Sequence, residues 1–185
     1  MRDEIGQHKP IRHEYESRGV AAFYRDRGHA YCNPHEPQIQ RSLEMAVREW
    51  PLDLTRVLDL AAGSGEVTLA LRSLGAASID AIDPFTFEAY QQRAGLPAGR
   101  ETFGQIADGA LSGRHYTLIV CSFALHLIAP SRLPRVAYQL SCIAKSLLIL
   151  TPHKRPNLRP EWGWEVTHEM VAQRVRSRLY RAATP

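Results

Sequence analysis

The chain has 185 residues, 44% of them apolar and 23% charged, with 12 Gly and 12 Pro, a composition that supports one buried core and excludes a low-complexity or fibrous protein. Its longest near-continuous apolar stretch, 118–129, is broken by Ser122 and His126 and falls short of the roughly 20 residues a bilayer span needs. The net charge of +4 lies wholly in residues 151–185, where seven Lys/Arg face three Asp/Glu.

Residues 1–15 are polar, without clear periodicity, and carry no apolar run of the kind a secretory leader has, so they read as a loose arm. Cys32, Cys121 and Cys142 form no Cys-x-x-Cys pair and leave one over, which suits a reducing compartment; the cytoplasm is the expected location. The eight histidines show no metal-binding spacing, and no metal is expected. Residues 16–55 are expected to form an N-terminal helical lid. Its helix starts at Glu36-Pro37, with Ile39, Leu43, Val47 and Trp50 at helical spacing, and stops at Pro51.

Residues 56–151 alternate short apolar runs with helical stretches, the pattern of βαβ units and a parallel sheet. Strands are predicted at 56–60, 78–83, 101–103 (a weak edge strand), 116–121 and 145–151, and helices at 66–74, 85–94 and 131–144. Three prolines make 152–160 a loop. Residues 164–171 and 174–181 alternate in type and read as a terminal antiparallel hairpin, with Arg174, Arg176 and Arg178 on one face. The whole chain is taken as one domain.

The first strand runs through Asp59-Leu-Ala-Ala-Gly63-Ser-Gly65 into a helix, so the glycines occupy a strand-to-helix turn at the carboxyl edge of a parallel sheet, where ligands bind. A dinucleotide fingerprint requires Gly or Ala three residues after Gly65, and here it is Thr68. Asp59 would also repel a pyrophosphate, whereas a ligand with an ammonium and a sulfonium suits an acid there. A nicotinamide oxidoreductase is disfavoured on both counts. Asp83 ends the second strand, where a carboxylate accepts hydrogen bonds from ribose hydroxyls.

The segments 57–65, Ile82-Asp83-Pro84 and 118–127 resemble the first, second and fourth motifs of class I S-adenosylmethionine (SAM)-dependent methyltransferases, in matching order and spacing over about residues 20–181. The resemblance implies a Rossmann-like three-layer α/β sandwich with a mostly parallel seven-stranded sheet and an antiparallel C-terminal hairpin. It implies SAM as cofactor, with Asp59, Ala61, Gly63 and Gly65 bordering its methionine part, Asp83 its ribose, Pro84 and Phe85 its adenine face, and Ile106 and Ala107 the adenine edge. Ser64, Ser122, Phe123 and Tyr31 complete the implied cofactor set, with Tyr24 and Tyr31 in the lid. Ala61 departs from the family's usual glycine, and Thr117 from a common Asp; the loop 152–163 stands where relatives keep a helix.

The acceptor site is expected at the loops 122–127 and 152–155, where His126 and His153 are the candidate general bases. Ser122-Phe-Ala-Leu replaces the Asn/Asp-Pro-Pro-aromatic tetrapeptide of base-amine methylating relatives, and Asn33-Pro34-His35-Glu36 reads as a turn and helix start. Trp162 and Trp164 line a pocket or pack in the core. The expected partner is a small-molecule acceptor with O, N or S as nucleophile, and the protein is expected as a monomer or homodimer. RNA or protein substrates held by the basic C-terminal segment, and a cofactor-binding module without catalysis, are the alternatives.

Overall fold

The computed structural model describes residues 33–183. Helix α1, Glu36–Glu49, begins with Pro37 in its first turn and turns Ile39, Ser42, Leu43 and Ala46 inward. The backbone becomes extended at Trp50, as the following Pro51 requires. Five βαβ-type elements follow in sequence: β1 Val57–Leu60, α2 Glu66–Ser73, β2 Ile79–Ile82, α3 Phe87–Ala94 and α4 Phe103–Ala107. The chain continues through β3 Leu118–Ser122, a 3-10 turn at Leu125–Leu127, α5 Leu133–Ser141 and β4 Ser146–Thr151. A second 3-10 turn, Pro160–Trp162, precedes β5 Trp164–Ala172 and β6 Val175–Ala182.

Six strands form one sheet in the order β2-β1-β3-β4-β6-β5. Strands β1 to β4 are parallel, and β6 runs antiparallel between β4 and β5. The terminal hairpin is therefore present, but the seventh strand expected at 101–103 is not among the described residues. The edge of β2 is met instead by a single bridge from Ile82 to Gly99. Thr102 caps α4 by accepting from the Gln105 amide, while the Gln105 side chain accepts from the Thr102 amide. This capping box fixes residues 102–105 as a helix start and prevents the extended conformation of an edge strand.

Side chains alternate across the sheet with the period of two that strands impose. Leu58, Leu60, Ile119, Cys121, Leu147 and Ile149 face a core shared with α4 and α5. Val57, Leu118, Val120, Leu148 and Leu150 face the opposite core, shared with α1 and α2. The loop before β5 covers the first of these faces where relatives would have a helix: Leu158 is buried, and the buried Trp164 donates from Nε1 to the Ala137 carbonyl at 2.8 Å. Trp164 is thus a core residue. Thr117 ties the start of β3 to the approach of β1, accepting from the Arg56 amide and donating to the Asp53 carbonyl.

The hairpin does not present a row of three arginines. Arg174 lies with Gln173 in the two-residue turn, both at positive φ. Arg176 and Arg178 pair with Glu169 of β5, and the buried Arg178 also donates to the Pro156 carbonyl. Arg181 donates to Ser146 Oγ and the Pro51 carbonyl. No helix among the described residues is long and apolar enough to cross a membrane.

Candidate functional site

Residues 61–65 turn sharply because Ala61, Gly63 and Gly65 all take left-handed φ values of 59°, 59° and 95°. Gly65 is also the N-cap of α2; a Cβ there would touch Ala94 and the Tyr90 ring at 3.4 Å, an ordinary contact distance, so it is the left-handed φ that favours glycine here. Ala61 holds the same kind of conformation with a Cβ, which costs about 1–2 kcal/mol. Ala61→Gly is expected to stabilise the fold by about 0.5–1 kcal/mol, after subtracting the added freedom of glycine in the unfolded chain. A urea titration checks this; equal or lower stability contradicts it.

The turn is pinned to the end of β2. Asp83 Oδ2 accepts from the Gly63 amide at 3.1 Å, and Oδ1 accepts from the Phe85 and Thr86 amides at 2.9 and 2.8 Å. Thr86 Oγ1 donates back to the Gly63 carbonyl at 2.8 Å. These bonds hold open a cavity of about 260 Å³ above the carboxyl ends of β1, β2 and β3. Asp83 and the turn residues Ala61 and Gly63 form one wall, Pro84, Phe85 and Ile106 a second, and Ser122 and Phe123 a third. These eight of the sequence-predicted residues meet in one place.

Asp59, Ser64, Gly65 and Ala107 do not line the cavity. Asp59 shares the sheet face of Val57 and is completely buried one layer below the turn. Its Oδ2 accepts from the amide and hydroxyl of Thr68, at 3.0 and 2.7 Å, and the Thr68 hydroxyl is 3.1 Å from the Tyr90 hydroxyl. Asp59 Oδ1 has no hydrogen-bond partner among the described residues. Burial pushes this carboxyl up to about 7, against the lowering effect of Thr68, and the charges of Glu66 and Asp83 add to the rise. Ser64 is buried and donates to Glu66, and Ala107 is held by Arg135 through its carbonyl. Tyr24 and Tyr31 lie outside the described residues.

Glu66, Phe103 and Glu101 are among the wall residues not anticipated from the sequence. Glu66, the first residue of α2, accepts from the Asn33 amide at 3.1 Å and pairs with Arg93, which also pairs with Glu36. Phe103 extends the apolar wall from the first turn of α4. Glu101 pairs with Arg114 through Oε1, while its buried Oε2 has no partner. The Thr102-x-x-Gln105 box marks a helix start immediately after Glu101, and that signal would have placed Glu101 at the sheet's open edge.

Among the described residues, the cavity lining therefore carries three carboxylates, Glu66, Asp83 and Glu101, and no Lys, Arg or His. Ser122 Oγ is buried at its third wall, also without a partner. Above it, the His35 ring stacks on Phe123 with centroids 5.2 Å apart, so the turn before α1 closes over the end of β3.

The two candidate bases, 27 residues apart in sequence, come together beyond this wall. The rings of His126 and His153 meet edge to face with centroids 4.5 Å apart. Burial, and then the neighbouring charge of His153, lowers His126 to about 4, so its imidazole is neutral at pH 7; its Nδ1 is buried without a partner. Neither ring lines the 260 Å³ cavity.

No family model matches the chain. Among curated proteins, the Schizosaccharomyces pombe protein C17A5.05c is 32% identical over 221 aligned residues, covering 90% of this chain and 90% of that protein. Among solved structures, the magnesium protoporphyrin IX methyltransferase of Synechocystis PCC 6803, solved with bound SAM, superposes with a TM-score of 0.61 at 16% identity, over 94% of this chain and 95% of that one. The ribosomal protein L11 methylase of Lactobacillus delbrueckii subsp. bulgaricus superposes with a TM-score of 0.59 at 17% identity, over 83% and 81%. The chain belongs to the same family as C17A5.05c and has the class I SAM-dependent methyltransferase fold.

Proposed function

We propose that this protein binds SAM in the 260 Å³ cavity and transfers its methyl group to an O, N or S nucleophile of a small molecule. The observation that carries the reading is the lining itself, three carboxylates and no cation around a glycine turn among the described residues. Two of the acids have arginine partners, so Asp83 supplies the uncompensated negative charge. A diphosphate is repelled by such a wall, and a ligand with a sulfonium and an ammonium is attracted.

When bound, SAM supplies an electrophilic methyl group on a sulfonium that is already an excellent leaving group. The work left to the chain is holding, orienting and proton removal. Asp83 has an acceptor lone pair on Oδ2 beyond the one used by Gly63, positioned for ribose hydroxyls. Phe85, Phe103 and Ile106 supply an apolar slot for a flat heterocycle. Glu101 Oε2 and Ser122 Oγ are buried polar atoms without a protein partner among the described residues, available to hydrogen-bond a ligand. His126, kept neutral, accepts the proton released by the acceptor. The internal pairing of Arg176, Arg178 and Arg181 supports a small acceptor over a polyanionic one.

Calorimetry with S-adenosylhomocysteine and with NAD tests the cofactor. Binding of the first and not the second is expected; the reverse overturns the reading. The histidine pair has its own test. In an NMR pH titration His126 is expected to titrate near 4 and to move upward in His153→Ala, because a neighbouring positive charge is removed. A His126 titrating at the ordinary 6.5 contradicts the buried placement. With an acceptor in hand, His126→Ala should slow turnover about 10²- to 10⁴-fold.

A further inference from the structure

A second cavity, of about 550 Å³, opens beside the first. The 3-10 turn Leu125–Leu127 is common to both: Leu127 lines the cofactor cavity, while Leu125 and His126 line the second. Leu125, Ile128 and Leu133 form an apolar floor, all three buried, and Trp162 forms a side wall. Arg155 and Arg159 stand at the rim, with the Arg159 guanidinium 5.4 Å from the centroid of the Trp162 ring. Among the described residues, no carboxylate lines this cavity.

The two rim arginines differ from the others of the basic C-terminal segment. Arg176, Arg178 and Arg181 are engaged within the fold, whereas Arg155 and Arg159 have no ion-pair partner among the described residues. Both are exposed, on a loop that also holds Lys154 and has no acid between residues 152 and 160. The positive excess of the sequence thus collects at one rim of one concave apolar space. An unpaired cationic rim over an apolar floor matches a ligand of opposite charge and divided polarity.

Resting on the methyltransferase reading, we infer that this second cavity is the acceptor site and that the acceptor is an apolar small molecule bearing an anionic head group. The apolar body lies on Leu125, Ile128, Leu133 and Trp162. The head group is held by Arg155 and Arg159, and the ring of His126 faces the bound body from the wall shared with the cofactor cavity. Arginine suits both candidate head groups, carboxylate and phosphate, because its guanidinium bonds either one bidentately.

The test is calorimetry on the full chain, saturated with S-adenosylhomocysteine, using 2-naphthoate, 2-naphthyl phosphate and the neutral 2-naphthamide. At least one anion is expected to bind ten times more tightly than the amide or better, and the tighter of the two identifies the head group. Arg155→Glu/Arg159→Glu should abolish that preference. Both side chains are exposed, so the variant should fold and keep its affinity for S-adenosylhomocysteine. Trp162→Ala should weaken all three probes while leaving the preference for the anion. Equal affinity for anions and amide, or a preference that survives charge reversal, overturns the inference. If S-adenosylhomocysteine does not bind, the cofactor reading falls, and the same titrations without it still decide the ligand class of the cavity.

Discussion

Asp83→Asn is expected to lose affinity for S-adenosylhomocysteine by about ten- to a hundredfold. Three acceptor positions of the carboxylate take backbone amides, and the one left on Oδ2 accepts a ribose hydroxyl, a charge-assisted bond worth about 1.5–3 kcal/mol that an Asn NH2 group on that side cannot accept. The substitution also affects the fold, because Asp83 receives three backbone amides in the wild type. An Asn oxygen turned toward Phe85 and Thr86 leaves its NH2 group against the Gly63 amide, a donor facing a donor, at a cost of about 1–3 kcal/mol. Thermal melting measured beside calorimetry separates the two effects. A variant that melts lower but binds as tightly as wild type would mean that Asp83 only braces the glycine turn. Asp83→Ala is the poorer test, since it strips all three amides of their acceptor at once.

The second large effect concerns Asp59 and pH. Its carboxyl has an ordinary value of 3.8 and rises to about 7 in the fold, chiefly through burial. Between those values the folded protein holds a proton that the unfolded chain has released, so stability falls as pH increases. The contribution is complete below about 3.8 and lost by about 7, and a separation of this size is worth roughly 4 kcal/mol. Asp59→Asn keeps an acceptor for Thr68 and cannot ionise. Relative to this variant, wild type should lose several kcal/mol between pH 5 and 8, measured by urea unfolding at each pH. A constant difference across that range would show that Asp59 is ionised throughout. His126 acts in the opposite direction, because its value drops from 6.5 to about 4: the stability it contributes is present above 6.5 and lost as pH falls. Comparing variants pairwise keeps the two groups apart.

Much of the sheet was legible because its central strands are buried on both faces and form unbroken apolar runs, as Leu118–Ser122 and Ser146–Thr151 show. The turn at 61–65 was legible from its glycines, and Asp83 from its place at the end of the second strand. Asp59 was located on the correct strand but assigned to the wrong layer. Strand position alone does not say that Val57 and Asp59 face α2, where Thr68 receives the carboxylate. Glu101 was hidden because the following residues were read as strand, although Thr102 and Gln105 already held the capping pattern. The meeting of His126 and His153 depends on how two loops fold back from adjacent strands, which no local spacing encodes.

The insertion of β6 between β4 and β5 has a consequence for biosynthesis. Residues 146–151 leave the ribosome long before residues 175–182, so one hydrogen-bonding edge of an entirely buried strand waits open for its neighbour. Nascent chains arrested before residue 175 would expose that edge, a template for pairing between molecules. Emergence of residues 175–182 closes it and, through the Arg178 bond to Pro156, anchors the loop that bears Arg155 and Arg159 in the same event.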